Sequence, residues 1–305
     1  MSSLAAIALM IAGLVLVVAG AELFFAGLLA VAGRLGIPAF GLTVVVSGLE
    51  LENLAAGIAA NAKGLPGAAA GTFLGGTTFL ALGVTGAAAL IAPLRVELPR
   101  PVVAWLAAAP LPLAALSADG DLSRLDGAIL VAWFAVALVG MARAGPSLLA
   151  DAIDGRQLRW PVTRFLAGLA VLTAGGAVLA DGIRRTVTHL GVSQTLLGNT
   201  AIAAGVEAEE VARVVVPARR ARADVALANV AGTIVHFTAL NAGVIAIVRP
   251  LALDSASLHL HLPVSVAATL VLAAWLTAGR GVGRGAGALF VCLYLGYVGA
   301  AVAVG

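Results

Sequence analysis

Two stretches of this chain repeat each other at one fixed distance. Gly48 to Gly75, GLELENLAAGIAANAKGLPGAAAGTFLG, reads against Gly205 to Gly232 without a gap, since 48 answers 205 and 75 answers 232, an offset of 157 at both ends. Glu50 then pairs with Glu207, Glu52 with Glu209, Asn53 with Glu210 and Thr72 with Asn229. After a two-residue shift, GAELFFAGLLAVAGRLGIP from Gly20 is answered by GGAVLADGIRRTVTHLGVS from Gly175. A constant offset held over so many positions marks an internal duplication, so the chain is expected to fold as two copies of one unit.

Both copies belong in lipid. The chain is 61% apolar and 11% charged, with a mean hydropathy of +1.08, which excludes an ordinary soluble domain. Cutting it at polar and Pro/Gly breaks leaves ten apolar runs able to cross a hydrocarbon core of about 30 Å. Their spans are 4–32, 37–62, 66–93, 101–117, 126–142, 161–190, 194–217, 224–247, 258–278 and 284–304. The opening run lacks a basic leader and reads as a retained first span. The predicted fold is an all-α polytopic membrane protein of ten transmembrane helices. They form two inverted five-helix repeats, 1–146 with its motif at 41–80 and 161–305 with its motif at 198–237, joined by a cytoplasmic linker at 147–160. Inversion follows from the odd number of spans per copy, which makes the second enter the membrane the other way up.

Loop charges fix the predicted orientation. With the N-terminus outside, the cytoplasmic connections carry Arg34, Arg95, Arg100, Arg143, Arg156, Arg159, Arg164, Arg219, Arg220, Arg222, Arg280 and Arg284. The outer ones carry only Lys63, Arg124, Arg184, Arg185 and Arg249, the bias of a positive-inside topology. An inner (cell) membrane location is expected, with both termini outside. The net charge of +3 is spread over short loops and implies membrane lipid, not nucleic acid, as the partner. The one cysteine, Cys292, forms no internal disulfide and is expected to be a buried, inert thiol.

The acids carry the functional argument. A charge at the bilayer centre costs roughly 2.5–3.5 kcal/mol on insertion scales, so intramembrane carboxylates mark ion or proton pathways. At about 100° per residue Glu50 and Asn53 share a helix face, as do Glu207 and Glu210, while Glu52 and Glu209 point away. Glu50, Asn53, Thr72, Glu207, Glu210 and Asn229 are therefore the primary metal-site candidates, with Glu52, Thr77, Glu209, Thr233 and His236 behind them. Such oxygen ligands suit hard cations, and the chain offers no His/Cys set for zinc or copper. Arg213, four residues after Glu209, reads either as a structural partner of that acid or as a tethered cation in the site. His236 reads as a packing histidine or a proton relay. His259 and His261 read as loop residues, and GRGVGRGAG from Gly279 as a flexible loop, since no strand precedes it. Neither an HExxH motif nor a nucleophile elbow is present, so no enzyme is predicted.

At these motifs the chain resembles the calcium/cation antiporter superfamily, which includes the sodium/calcium exchangers and carries two inverted α-repeats. The family pattern Gly-Thr-Ser-Leu-Pro-Glu is similar to Gly48-Leu49-Glu50-Leu51-Glu52-Asn53 and Gly205-Val206-Glu207-Ala208-Glu209-Glu210. Its Gly-Asn-x-x-Gly-Ser-Asn is similar to Gly71-Thr72-Phe73-Leu74-Gly75-Gly76-Thr77 and Ala228-Asn229-Val230-Ala231-Gly232-Thr233-Ile234. The family's ion-binding glutamate falls on Glu210 but is Asn53 in the first copy, and Glu50 and Glu207 stand where the family has serines. The resemblance implies a secondary cation antiporter without a cofactor, exchanging Ca²⁺ for H⁺ or Na⁺ by alternating access at a midplane carboxylate site. Carboxylates in place of hydroxyls at Glu50 and Glu207 favour proton coupling. A monovalent cation/proton antiporter and a non-transporting ion-binding or sensor paralogue are the alternatives.

Overall fold

Backbone N–H and C=O groups find no water in hydrocarbon, so a chain of this composition satisfies them within helices. The computed structural model describes residues 3–46, 51–145, 159–189, 208–279 and 281–304, the backbone alone at 3, 4, 51, 52, 180, 183, 184, 186–189 and 304. In chain order the helices are α1 (Ser3–Leu35), α2 (Ala39–Val46), α3 (Leu51–Ala62), α4 (Pro66–Thr78), α5 (Thr85–Ile91), α6 (Arg100–Ala108), α7 (Leu111–Leu116) and α8 (Arg124–Ala144). They continue with α9 (Pro161–His189), α10 (208–219), α11 (Ala223–Val235), α12 (Ala242–Val248), α13 (Leu262–Thr277) and α14 (Arg284–Val304). Three π-helical turns, Phe79–Val84, His236–Asn241 and Ser257–His261, join α4 to α5, α11 to α12 and the short helical start at 255–256 to α13.

Among the described residues seven helices are long and apolar enough to span a membrane: Ala5–Leu35, Pro66–Ile91, Arg124–Ala144, Pro161–Leu179, Ala223–Val248, Ser257–Thr277 and Arg284–Ala303. Of the 37–62 run the structure describes α2 and α3, with 47–50 outside the described residues. The 101–117 run splits into α6 and α7 at Ala109-Pro110, where proline has no N–H to donate. His259 and His261 lie in the π turn that opens the 257–277 span rather than in a loop. Of GRGVGRGAG, Arg280 lies outside the described residues; Gly281 has φ +57° against the Leu94–Val96 backbone, Val282 exchanges two 2.9 Å hydrogen bonds with Leu94, and Arg284 already opens α14, so the part after Arg280 is bonded turn and helix rather than a loose loop. Cys292 is exposed, not buried, because α14 is an outer helix that shows most of its apolar surface, Leu289, Leu293 and Leu295 included.

The described chain packs as two compact units, Met1–Ala39 with Leu148–Arg222, and Phe40–Ser147 with Ala223–Gly305. These units gather segments from both sequence halves, because packing partners and duplicated segments divide the chain along different lines.

In the first unit α1 and α9 run antiparallel. The Cα faces of Gly13, Gly20 and Gly27 lie against the backbone of Leu179, Leu172 and Phe165, and those of Gly168, Gly175 and Gly182 lie against Phe24, Val17 and Met10. Each step of seven up one helix is a step of seven down the other, the repeat of a left-handed helix pair. Small residues matter because helices in lipid associate through close packing rather than hydrophobic expulsion.

In the second unit the sequence offset becomes geometry. The α4–π–α5 span is repeated as α11–π–α12, every boundary displaced by 157: 66 to 223, 79 to 236, 85 to 242 and 91 to 248. Packing partners exchange accordingly. Gly86 of α5 meets Gly287 of α14, and Gly243 of α12 meets Gly127 of α8. Arg284 Nε donates to Leu90 O at 3.1 Å, and Arg124 Nε donates to Ile247 O at 3.2 Å. The bridge Leu94↔Val282 is matched by the pair Leu122↔Leu251 in a two-residue antiparallel ribbon, β1 (Asp121–Leu122) and β2 (Leu251–Ala252). The two motif spans touch at mid-length, where the Phe237 ring lies on Gly76.

The symmetry does not extend to one polar contact of this unit. Asn61 Nδ2 donates to Arg249 O at 2.7 Å, and Arg249 Nη1 donates to Asn61 O and Ala62 O at 3.1 and 2.9 Å. A guanidinium on the last carbonyls of α3 satisfies groups the helix leaves open and complements its dipole. The positions 157 residues away are Ala218 and Ala92, so the second copy lacks this cap.

Candidate functional site

Two sets of polar groups are buried among the apolar helices, one in each unit. In the first, α10 places Glu209, Glu210 and Arg213 on adjoining turns. At about 100° per residue Arg213 lies between the two acids, about 40° from Glu209 and 60° from Glu210. The guanidinium uses both neighbours: Nη1 donates to Glu210 Oε1 at 3.0 Å and Nη2 donates to Glu209 Oε1. The side chains of Arg213 and Glu210 are only 3% and 4% exposed, so these charges are compensated by protein groups rather than by bulk water. Thr173 Oγ1 of α9 donates to Glu209 at 3.4 Å, and the guanidinium lies 5.8 Å from the Phe24 ring of α1. At the end of α10 Arg220 meets Glu22 at 2.6 Å on the exposed rim of the same unit.

In the second unit the motif residues sit on α3, α4 and α11. Asn53 is half-buried one turn before Gly57, whose bare Cα lets α3 approach the Thr72 hydroxyl and Ile245. Thr72 and Thr77 donate to Ala69 O and Phe73 O, both at 2.7 Å, which leaves their oxygen lone pairs as acceptors. Asn229 and Thr233 are buried one turn apart on α11. His236 opens the π turn after them. Its Nδ1 is 2.8 Å from Gly232 O and its ring stands edge-on to Phe134 at 4.7 Å, the surroundings of a packing side chain. Phe79 stacks on Tyr294 in the matching place of the first copy. Outside the spans, hydrogen bonding from Ser257 holds the Asp254 carboxyl below the usual carboxylate range, and that carboxylate lies over Gly67 in the first turn of α4. The second copy puts its own acid, Asp224, in the first turn of α11.

Of the sequence-predicted residues, the structure joins Glu209, Glu210 and Arg213 directly and sets Thr72 beside the α3 crossing at Gly57. Glu50 and Glu207 lie outside the described residues, as does the side chain of Glu52. Among the described residues no three His, Cys, Asp or Glu side chains group to hold a metal. Spacing pointed Arg213 at Glu209 alone; the i,i+3 reach to Glu210 was equally available and was missed. Thr173, Phe24 and the Asn61–Arg249 cap come from distant segments, and no local pattern announces them.

Comparison with known proteins agrees with this architecture. The family model described as sodium/calcium exchanger protein matches residues 5–142 and 160–303. The putative antiporter CaxA of Alkalimonas amylolytica is 29% identical over 307 residues, covering 93% of this chain and 95% of the relative. The inner membrane protein YrbG of Escherichia coli (strain K12) is 28% identical over 307 residues, covering 92% and 93%. Among solved structures, the sodium-calcium exchanger NCX_Mj soaked with zero Na⁺ and Ca²⁺ superposes with a TM-score of 0.84 at 21% identity, over 96% of this chain and 98% of that one. The same exchanger soaked with 100 mM Na⁺ and 10 mM Sr²⁺ gives 0.81 at 20%, over 98% and 99%. At such identities the match establishes the fold.

Proposed function

The chain belongs to the sodium/calcium exchanger protein family, and from that premise we propose that it is a secondary active antiporter of an inner membrane, exchanging Ca²⁺ for H⁺ or Na⁺. Ten transmembrane helices form two inverted five-helix repeats, 1–146 and 161–305, joined by the 147–160 linker, with both termini outside. The observation that carries this reading is the exchange of partners between matched spans. Residues 66–91 recur at 223–248 element by element, and the equivalent first helices α1 and α9 lie antiparallel, as inversion requires. The two matched stretches of the family model fall one in each half.

Glu50, Asn53, Thr72, Glu207, Glu210 and Asn229 form the midplane cation site, with Glu52, Thr77, Glu209 and Thr233 around it. Carboxylate, amide and hydroxyl oxygens replace the hydration shell of a hard cation. Glycines at the helix crossings permit the rocking that opens the site to one side at a time. The relatives point the same way: CaxA is a putative antiporter and NCX_Mj a sodium-calcium exchanger.

The test is flux in proteoliposomes with Ca²⁺, Na⁺, Mg²⁺ and Mn²⁺ under imposed pH and sodium gradients. Saturable Ca²⁺ uptake driven by either gradient is expected. Uptake of Na⁺ driven by pH with none of Ca²⁺ would make this a monovalent cation/proton antiporter, and no flux of any ion would leave a binding or sensor protein.

A further inference from the structure

We propose that Arg213 is a resident counter-charge in the cation site, a tethered cation that bonds both Glu209 and Glu210 and offsets one of their two charges while no transported cation holds Glu210. The inference rests on the antiport reading above and specifies how its second half returns empty.

Comparison of the two copies gives the first reason. Where the first copy has Asn53 and Ala56, the second has Glu210 and Arg213, an acid and a base introduced together. The formal charge therefore stays balanced: Glu50 and Glu52 carry −2 in the first copy, and Glu207, Glu209 and Glu210 with Arg213 also carry −2 in the second. Geometry gives the second reason. One guanidinium reaches both carboxylates, Nη1 at 3.0 Å from Glu210 and Nη2 bonded to Glu209, so the second acid is satisfied by protein rather than by a bound ion. The third reason is that the guanidinium has somewhere to stay when Glu210 is taken. Glu209 remains its i,i+4 partner, and the Phe24 ring of α1 lies 5.8 Å away.

An arriving cation takes Glu210 from Arg213, which swings onto Glu209 and Phe24; on release the guanidinium returns. Two consequences follow. Cation binding competes with an internal charge and is weaker than the ligand set alone would give. The empty carrier also returns with one fewer counter-ion, because the protein supplies that charge itself.

Arg213→Gln and Arg213→Lys separate this from a structural salt bridge. Ca²⁺ binding is measured on the purified full-length protein by calorimetry, and coupling by the reversal potential of Ca²⁺ flux in proteoliposomes. Arg213→Gln is expected to bind Ca²⁺ roughly tenfold to hundredfold more tightly, the scale of one charge-assisted bond removed from competition. Its return step should need one additional counter-ion per cycle. Arg213→Lys keeps the positive charge and should keep wild-type coupling; it carries the test by itself if Arg213→Gln does not fold. A transporting Arg213→Gln with unchanged binding and coupling, or an Arg213→Lys that couples differently from wild type, would overturn the inference and leave the antiport reading standing. Tighter Ca²⁺ binding in Arg213→Gln with no flux in any variant would do the reverse.

Discussion

Glu210→Gln is expected to abolish counter-ion-driven cation uptake while the protein stays folded. Folding survives because the substitution keeps shape and acceptor: the amide oxygen can still receive Arg213 Nη1, now 3.0 Å from the carboxylate, and Glu209 still pairs with the guanidinium. Transport fails because an amide brings one weak oxygen and two N–H donors where a cation needs full negative charge. Losing one charge-assisted interaction costs about 1.5–3 kcal/mol, or roughly tenfold to hundredfold in affinity. The charge that Glu207, Glu209 and Arg213 then leave in the second copy falls from −2 to −1. Initial rates of Ca²⁺ uptake in proteoliposomes, set beside thermal melting in detergent, check both halves of the expectation. Full uptake by Glu210→Gln would remove this residue from the site.

The second large effect lies in the helix pair. Gly20→Leu should separate α1 from α9 and destabilise the first unit by about 3 kcal/mol or more, the upper end for overpacking a tight contact. The cost is high because a Cβ at Gly20 would fall on the backbone nitrogen and Cα of Leu172, and backbone cannot rotate away as a side chain can. Gly175→Leu should do the same from the other side, where Val17 backbone faces it. Gly296→Leu supplies the control, since nothing lies within 4 Å of a Cβ there. Thermal melting and yield of monodisperse protein after extraction would report the difference. Equal behaviour of Gly20→Leu and Gly296→Leu would mean the glycine faces do not hold the helices together.

Much of this fold could be read before any coordinates, for a physical reason. Apolar runs are dictated by the thickness of the bilayer, and a duplication preserves spacing even where residues diverge. The expected spans 66–93, 224–247 and 284–304 thus fall within a few residues of Pro66–Ile91, Ala223–Val248 and Arg284–Ala303. What the sequence could not announce depends on contacts between distant segments. Arg249 capping α3 through Asn61 joins residues 188 apart, and neither residue has a counterpart in the other copy to draw attention to it. Pro110 looked compatible with one span because its neighbours are uniformly apolar, yet its missing N–H divides α6 from α7. Cys292 looked buried because its run is apolar, but an apolar residue of an outer helix faces lipid. The acid cluster was legible from charge alone; its guanidinium bridge to both Glu209 and Glu210 needed side-chain positions.

The most direct measurement of the inverted architecture is the sidedness of two matched positions. Lys63 and Arg220 are separated by the repeat offset of 157, each exposed just after its motif helix, α3 or α10. In a Cys292→Ser background, Lys63→Cys and Arg220→Cys are treated with a membrane-impermeant maleimide on intact cells, then after permeabilisation. The account predicts that K63C labels from outside and that R220C labels only once the membrane is opened. Labelling of both from the same side would contradict it, since the two copies would then cross the membrane in the same sense.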